Sequence, residues 1–231
     1  MTARSPARLR VASRADLMGL PADVAPTLLG AHLTTVVAGE TVTVRLTEVE
    51  AYHGLGTGPV VDPGSHARMG PTARNATMWG EPGHLYVYLS HGIHSCVNVV
   101  CGPEGVAGGI LLRAGQVIEG TDAAARRRPA ARTARDLARG PGRLGDAVGL
   151  RHPIHDGIDA LTSAPWHGAV ARLELLADPL ADIASGPRVG VAGVAGTAAF
   201  PWRYWVPGDP TVSPFRWGRG AQAAAKPSDE R

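Results

Sequence analysis

Residues 41–52 alternate between polar and apolar side chains, a pattern that predicts a β-strand. Side chains two positions apart share a strand face, so the apolar residues at even positions should face the same way as Glu48, Glu50 and Tyr52. If that is the core face, the carboxylates are buried, and a buried carboxylate requires a partner, a raised pKa or a catalytic role. The alternative is that the strand leaves the core near Thr47 and both glutamates are solvated.

The rest of the chain is predicted to contain short strands with helices on their flanks. Further strands are expected at 32–37, 84–90, 95–101, 109–114, 171–176, 188–193 and 204–206. Helices are expected at 16–20, at 21–33 and, with breaks, over 121–150. Because most connections are short, we expect an α+β fold with a mostly antiparallel sheet. A single domain is predicted over 14–217, with a flexible basic arm at 1–13 and a disordered tail at 218–231.

Composition restricts the class of protein. The chain has 231 residues, 44% apolar and 19% charged, as in ordinary soluble globular proteins. No apolar run reaches membrane-spanning length and no secretory signal precedes Leu17, so we expect a cytoplasmic protein with no membrane partner. Cys96 and Cys101 would face opposite ways in a strand, which excludes a disulfide framework and disfavours a zinc site. No metal and no cofactor is predicted.

The basic residues are unusual in kind, because Lys226 is the only lysine and all the others are arginine. A mechanism that requires a buried lysine amine as a Schiff-base nucleophile therefore has no candidate residue. Arginine suits phosphate recognition, since its planar guanidinium binds oxyanions through two hydrogen bonds. Genome composition would also explain the bias, and the net charge of +3 is modest.

Alternation in the middle strands places further polar and aromatic side chains near the glutamates. Tyr86 and Tyr88 share one face of their strand, Asn98 lies on one face of the next, and Arg113 ends an apolar strand. Together with Glu50 and Tyr52, these residues are predicted to form a polar pocket lined by aromatic rings, which suits a planar ligand such as a purine. The alternative is that the tyrosines are core rings and Asn98 caps a turn.

An ordered series of short motifs resembles the alkyladenine (3-methyladenine) DNA glycosylase family. The motifs are E-V-E-A-Y at 48–52, S-H-A-R at 65–68, T-A-R-N at 72–75, G-H-L-Y-V-Y at 83–88, G-I-H at 92–94, C-V-N at 96–98, L-L-R-A at 111–114, R-V-G-V at 188–191 and W-R-Y at 202–204. The resemblance covers roughly residues 26–213, and such a series is more specific than any single motif. It implies that family's curved, mostly antiparallel sheet flanked by helices.

The resemblance also implies a reaction. Glu50 matches the general base that activates the attacking water, and Arg113 matches the arginine that helps to hold this water and the carboxylate. The implied substrate is duplex DNA containing damaged purines of the 3-methyladenine, 7-methylguanine, hypoxanthine and ethenoadenine class. The implied products are the free base and an abasic site, formed by simple hydrolysis because no lysine is available. We expect a monomer, associated with the nucleoid if the source is bacterial.

Positions in the base pocket carry over in the same way. Tyr52 and His66 match residues that stack on one face of the flipped base, and Tyr88 matches the residue on the other face. Alkylated purines are electron-poor, so electron-rich rings should favour them. Asn98 matches a residue that disfavours the exocyclic amine of guanine.

The chain departs from the family pattern where a side chain would fill the gap left by the flipped base. His91 stands where a tyrosine wedge is typical, while Ile93 and His94 match neighbours that press into the minor groove. The loop at 53–64 is also longer than the pattern, and Ala73 stands where proline is common. These differences are expected to alter lesion preference or weaken it.

Four arginines are candidates for contacts with phosphate groups: Arg74, Arg143, Arg188 and Arg203. Arg143 follows a Gly-Pro-Gly sequence and is expected near the start of a short helix whose amides face a phosphate. For each of the four, a solvated surface position is the alternative.

Three other classes of protein compete with this interpretation. A damaged-DNA-binding protein of the same fold with weak or no catalysis is the main alternative, although both Glu50 and Arg113 are present. A metal-dependent hydrolase is indicated only by histidine pairs that have no third ligand. A helix-hairpin-helix glycosylase is indicated only by the Gly-Pro-Gly sequence, and the strand-rich middle of the chain disagrees with it.

Overall fold

The computed structural model describes residues 8–55 and 61–226. Parts of the predicted arm, of the 53–64 loop and of the predicted tail lie outside these ranges. No helix within the described ranges is both long enough and apolar enough to cross a membrane.

Strands predominate, and the helices are short. The strands are β1 Leu9–Val11, β2 His32–Val37, β3 Glu40–His53, β4 His84–Ser90, β5 His94–Val100, β6 Gly108–Glu119, β7 Ile158–Asp159, β8 Ala169–Leu176, β9 Ala184–Gly186 and β10 Arg203–Trp205. The α-helices are α1 Pro21–Val24, α2 Thr121–Arg127, α3 Pro141–Val148 and α4 Ala221–Ala224. Single 3₁₀ turns occur at Arg14–Leu17, Ala25–Leu28, Ala76–Trp79, Ala134–Asp136 and Gly193–Gly196.

All ten strands in the described ranges belong to one curled sheet. The order is β1-β8-β2-β3-β6-β5-β4-β7, and β10 joins β9 to the second half of β3. Every pairing between these strands is antiparallel. The predicted α+β fold with a curved, mostly antiparallel sheet is therefore confirmed.

Two of the three register shifts in the ladder between β3 and β6 are bulges next to Glu48. Leu46 is opposite Gly115 and Glu48 is opposite Ala114, so Thr47 is an extra residue on β3. One step further, Val49 pairs with Leu112, and Arg113 is the extra residue on β6. The buried Thr47 side chain is satisfied by Thr211, with 2.8 Å between the two Oγ1 atoms. The bulges therefore bring Arg113 out of the regular ladder beside Glu48.

The bulge at Thr47 corrects the predicted alternation of β3. Residues 42, 44 and 46 belong to the main hydrophobic core before the bulge, whereas Val49 and Ala51 belong to it afterwards. An inserted residue exchanges the two faces of a strand. Glu48 and Glu50 therefore point away from the core face of the earlier valines, so the predicted shared face is wrong. The solvated alternative is also wrong, because both carboxylates are fully buried.

Helix α3 approaches the sheet closely and reaches the region of β5. A Cβ added at Gly145 would lie 2.0 Å from the carbonyl oxygen of Ser95, so only glycine fits this contact. The N-terminal end of the helix, at Pro141, borders the same cavity as residues of β4, β5 and β6.

Several predicted elements differ from the structure. Residues 188–193 form a turn leading into a 3₁₀ turn instead of a strand, and the predicted helix at 21–33 is only α1 followed by a 3₁₀ turn. The prediction of a flexible arm is wrong for β1, where Leu9 pairs with Leu176 in the sheet. The prediction of a disordered tail is likewise wrong for α4, a short helix in which Ala221 is buried.

Candidate active site

Residues of β3, β4, β5 and β6 line a cavity of about 480 Å³. All six residues predicted for catalysis and base binding line it: Glu50, Tyr52, His66, Tyr88, Asn98 and Arg113. The bulges of β3 and β6 direct the first and last of these into the cavity, and the regular pairing of β4 with β5 directs Tyr88 and Asn98 there.

Three donors converge on the buried carboxylate of Glu50. The backbone N–H of Val189 donates to Oε1 at 2.6 Å, and the Tyr52 hydroxyl donates to Oε2 at 2.9 Å. The guanidinium Nη1 of Arg113 lies 3.5 Å from the same Oε2. These contacts fix the orientation of a carboxylate that still borders the cavity, which is the geometry required of a general base.

Burial and the neighbouring carboxylate together keep the Tyr52 hydroxyl protonated. Its pKa is raised well above the ordinary tyrosine value, first by burial and then by the negative charge of Glu50. The hydroxyl therefore remains a hydrogen-bond donor to Glu50 across the physiological pH range.

A second buried carboxylate, Glu48, anchors Arg113. Oε1 of Glu48 accepts hydrogen bonds from the Nε of Arg113 at 3.1 Å and from the Nε of Arg203 at 2.6 Å. Ser213 adds its backbone N–H to Oε2 at 2.8 Å and its hydroxyl to Oε1 at 3.0 Å. Burial alone would lower the pKa of Arg113, but Glu50 and Glu48 raise it above its ordinary value. The guanidinium is thus a permanently charged link between two carboxylates.

Sequence reasoning noticed Glu48 on the strand but assigned it no role, and it missed Ser213 entirely. The spacing of two residues between Glu48 and Glu50 was a usable signal for the first. No sequence pattern identifies Ser213, which reaches Glu48 only through folding of the C-terminal segment.

Three aromatic residues line the opposite wall of the cavity. Tyr86 and Tyr88 stack with ring centroids 5.5 Å apart, and His66 meets Tyr88 edge-on at 4.7 Å. Burial raises the pKa of Tyr86 to about 12 and also raises that of Tyr88. Partial burial, with Arg74 and Arg68 nearby, lowers the pKa of His66, so its ring is neutral at pH 7. The wall therefore offers uncharged rings to a ligand.

Asn98 and Cys96 lie on β5 beneath these rings. The side-chain Nδ2 of Asn98 donates to the backbone oxygen of Tyr86 at 3.0 Å, which fixes the amide orientation. Burial raises the pKa of the Cys96 thiol to about 11, so it stays neutral. Both residues line the cavity.

Arg188 is not available to DNA, so its predicted phosphate contact is wrong. Its fully buried guanidinium forms a double ion pair with Asp62, with both N–O distances 2.7 Å. The carboxylate of Asp62 also accepts the backbone N–H groups of His53 and Gly64. The guanidinium carbon lies 4.5 Å from the ring centroid of Tyr52. Arg188 therefore supports the loop and the ring beside the cavity.

The other three arginines predicted to contact phosphate divide into one that is buried and two that are exposed. Arg203 is buried against Glu48 and Ser213, so the prediction is wrong for this residue too. Arg74 and Arg143 are exposed, and Arg143 lies in the first turn of α3, as expected. Only the exposed pair is placed to meet a phosphate.

The predicted wedge residues lie in the hairpin between β4 and β5. Ile93 donates its backbone N–H to the carbonyl of Ser90 at 3.1 Å, and both His91 and Gly92 have positive φ angles. Ile93 is 71% exposed at this tip, while the exposed His91 also borders the cavity. His94 is exposed at the start of β5.

Within residues 8–55 and 61–226, no group of three or more His, Cys, Asp or Glu side chains is arranged to hold a metal ion. Neither the histidine pair at 91 and 94 nor the pair at 152 and 155 is therefore part of a three-ligand cluster in the described part of the chain.

Comparisons with known proteins agree with this geometry. The family model described as methylpurine-DNA glycosylase (MPG) matches residues 17–210. A protein of Leifsonia xyli subsp. xyli is 51% identical over 198 residues, which cover 84% of this chain and 87% of the relative. One of Nocardia farcinica is 50% identical over 220 residues, covering 94% and 97%. Both relatives are named "Putative 3-methyladenine DNA glycosylase".

A buried glutamate held by an arginine and a tyrosine at the edge of an aromatic cavity fits an enzyme that hydrolyses bonds to flat bases. The chain belongs to the methylpurine-DNA glycosylase family. It is accordingly a DNA glycosylase, a hydrolase of the N-glycosidic bond whose substrate is DNA.

Proposed function

We propose that this enzyme is a monofunctional glycosylase that removes damaged purines from duplex DNA in base excision repair. Its lesions are purines of the 3-methyladenine, 7-methylguanine, hypoxanthine and ethenoadenine class, of which the names of its relatives mention the first. The observation that carries the proposal is the environment of Glu50, a buried carboxylate on which Val189, Tyr52 and Arg113 converge beside the aromatic cavity.

Glu50 activates a water molecule in the proposed reaction. The carboxylate accepts a proton from the water as the water oxygen bonds to C1′ of the deoxyribose. The bond from C1′ to the base nitrogen breaks, and its electron pair leaves with the base. The anionic oxygens also stabilise the oxocarbenium-like transition state, as in glycoside hydrolysis. Arg113 and Tyr52 hold Glu50 in position for both tasks. The products are a free base and an abasic site.

The damaged nucleotide enters the cavity by flipping out of the duplex. Unstacking costs a few kcal/mol and is least costly at damaged pairs. The cavity volume of about 480 Å³ falls within the usual range of small-molecule sites, roughly 300–1,000 Å³. In the proposed complex, Tyr52 and His66 stack on one face of the base and Tyr88 on the other, while Asn98 disfavours the guanine amine.

His66 must move before a base is held in this way. A base between two rings requires a ring separation of about 7 Å, twice the contact distance between carbon atoms. The His66 and Tyr88 rings are 4.7 Å apart and edge-on. We therefore expect the segment that carries His66 to shift on binding, so that the His66 and Tyr88 rings separate as the base is inserted.

The remaining parts of the proposal concern DNA and oligomeric state. Arg74 and Arg143 contact phosphates, and His91, Ile93 and His94 occupy the minor groove next to the flipped nucleotide. No strand cleavage follows base removal, because Lys226 lies outside the cavity and no other lysine is present. The enzyme acts as a monomer in the cytoplasm, associated with the nucleoid.

Base release from defined duplexes tests the proposal. The protein is incubated with duplexes carrying hypoxanthine, 3-methyladenine or ethenoadenine, and with an undamaged duplex of the same sequence, before heating in alkali. Strand breaks that require both the lesion and the alkali are expected. The absence of lesion-dependent breaks would refute the function, and breaks without alkali would refute the monofunctional assignment.

Glu50→Gln provides the mechanistic arm of the same test. A general base contributes about 10²–10⁴-fold, so turnover should fall by at least about 100-fold while binding to damaged duplex persists. Glu119→Gln is the matched control, because Glu119 is exposed at the end of β6, where it accepts a hydrogen bond from the Thr43 hydroxyl. A Glu50→Gln enzyme within a few fold of wild type would show that another group activates the water.

A further inference from the structure

The C-terminal segment 214–226 lies beyond the part of the chain that matches the family model, which ends at residue 210. It contains three basic residues and no Asp or Glu. Arg216, Arg219 and Lys226 are all exposed, as are the rings of Phe215 and Trp217. The two rings pack edge to face with centroids 4.9 Å apart. The segment thus presents a positively charged and aromatic surface.

The backbone of this segment is attached to the wall of the active-site cavity. The carbonyl of Arg216 accepts the N–H of Gly190 at 2.9 Å, and the carbonyl of Arg219 accepts the N–H of Gly193 at 3.0 Å. Between them, a Cβ at Gly218 would lie 2.1 Å from the carbonyl oxygen of Val191, so only glycine permits this approach. Gly190 and Val191 line the cavity. Chains joined in this way lie about 5 Å apart, so the arginine side chains start very near the rim.

The charges on this surface are not neutralised within the described part of the chain. Arg216, Arg219 and Lys226 form no ion pair with the carboxylates of residues 8–55 and 61–226. By contrast, the buried Arg188 and Arg203 are held by Asp62 and Glu48. A polyanion that enters the cavity with one nucleotide would therefore meet free guanidinium groups at the rim.

We propose that Arg216 and Arg219 form a second DNA-contact surface, which binds backbone phosphates next to the nucleotide whose base enters the cavity. Arginine binds phosphate through two parallel hydrogen bonds, and such contacts fix the position of a protein on DNA without reading its sequence. The packed Phe215 and Trp217 rings stand on either side of Arg216 in the sequence and give this surface its aromatic part. The placement of the phosphates rests on the proposed base flipping, whereas binding to DNA does not require turnover.

The salt dependence of binding tests this surface. Affinity for a duplex containing a tetrahydrofuran abasic analogue is measured by fluorescence anisotropy over a range of KCl concentrations. Each phosphate contact contributes about 0.9 to the slope of log affinity against log salt, so Arg216→Gln with Arg219→Gln should reduce the slope by about 1.8. From about 50 to about 200 mM salt, wild type should lose about tenfold more affinity than this variant. The backbone bonds at 216 and 219 remain, so the fold is kept.

Two control variants separate local charge from net charge. Arg8→Gln with Arg172→Gln removes the same charge at the far sheet edge formed by β1 and β8, and should leave the slope unchanged. Arg216→Lys with Arg219→Lys keeps the charge and should keep the slope. A Gln variant with the wild-type slope, or an equal loss in the far-edge control, would overturn the proposal. If wild type binds with this pattern but releases no base, the proposed function fails and the contact surface stands.

Discussion

Arg113 and Glu48 are joined at one edge of the guanidinium, whose Nε lies 3.1 Å from Oε1 of Glu48. The opposite side of the same group presents Nη1 to Glu50 at 3.5 Å. Arg113 is the extra residue of the β6 bulge, so the sheet ladder does not itself fix this side chain. Glu48, held in turn by Arg203 and Ser213, therefore sets the direction in which Arg113 reaches Glu50.

Glu48→Gln is expected to slow catalysis through Arg113. The amide cannot balance the buried charges of Arg113 and Arg203, and breaking a buried pair costs about 3–5 kcal/mol of stability. Misplacement of Arg113 should lower single-turnover base release by about tenfold or more, since small errors of position are costly in catalysis. Affinity for damaged duplex should remain within a few fold. Base release and urea unfolding are measured on the same preparations at a temperature where both proteins are folded.

A double-mutant cycle distinguishes positioning from general destabilisation. If Glu48 acts through Arg113, then Glu48→Gln should cost little further turnover in an Arg113→Ala background. Asp159→Asn is the control, because it removes one of the two carboxylates paired with Arg14, outside the cavity, and should lower stability without slowing base release. Fully additive losses of turnover would show that Glu48 has no specific link to Arg113.

Tyr52→Phe is expected to separate stacking from the alignment of Glu50. The substitution removes the hydroxyl that donates to Glu50 at 2.9 Å but keeps the ring that lies over Arg188. A hydrogen bond to a charged group contributes about 1.5–3 kcal/mol, which corresponds to a loss of about 10–100-fold in turnover with affinity preserved. Tyr86→Phe is the matched control, because that hydroxyl approaches His66 and not Glu50. Equal effects of the two substitutions would contradict the assignment.

The four predicted phosphate arginines should separate in two different measurements. Arg188→Lys loses the two parallel bonds to Asp62 and should lower the free energy of unfolding without changing the salt slope of DNA binding. Arg74→Gln and Arg143→Gln, which alter exposed side chains, should each reduce that slope by about 1 with little change in stability. A smaller slope for Arg188→Lys, without unfolding, would mean that Arg188 reaches DNA after all.

The strand pattern predicted most of the sheet but not the face on which Glu50 lies. Alternation located β2 and β4 at their observed bounds, because both are regular strands that pair with β3 and β5 without a bulge. It failed on β3, since the bulge at Thr47 depends on pairing with β6, a distant segment. The alternation of residues within β3 does not show how this strand pairs with β6. The burial of Glu50 was correctly considered, but the physical reason for it required the structure.

The cavity residues were predicted from the chain more completely than the arginine roles. Regular alternation in β4 and β5, combined with the family resemblance, identified Tyr88 and Asn98, which do line the cavity. Composition could not tell a buried arginine from an exposed one, because burial of Arg188 depends on Asp62, 126 residues away. Exposed Arg216 and Arg219 were overlooked for the complementary reason, since no local pattern shows that their backbone pairs with Gly190 and Gly193 beside the cavity.

Acidification is expected to destabilise the fold through His155. This buried side chain accepts the backbone N–H of Arg151 on Nδ1 at 2.9 Å, so protonation of Nδ1 would break that bond. Burial lowers the pKa of His155 below its ordinary 6.5. A hydrogen bond with the backbone of His167 opposes this shift, and the charges of His167 and Arg151 add to it. The unfolded chain therefore binds the proton at a higher pH than the folded one. The stability contributed by neutral His155 is complete above the unfolded value and is lost as pH falls through the lowered folded value.

Urea unfolding at about pH 7.5 and about pH 5.5 measures this loss, to which one histidine contributes about 1.4 kcal/mol for each unit of lowered pKa. His155→Gln keeps an acceptor for Arg151 and has no titratable ring, so its free energy of unfolding should change less between the two pH values than that of wild type. Some dependence should persist, because burial also lowers the pKa of His32 and of His66. An unchanged pH dependence in His155→Gln would place the acid-sensitive group elsewhere in the fold.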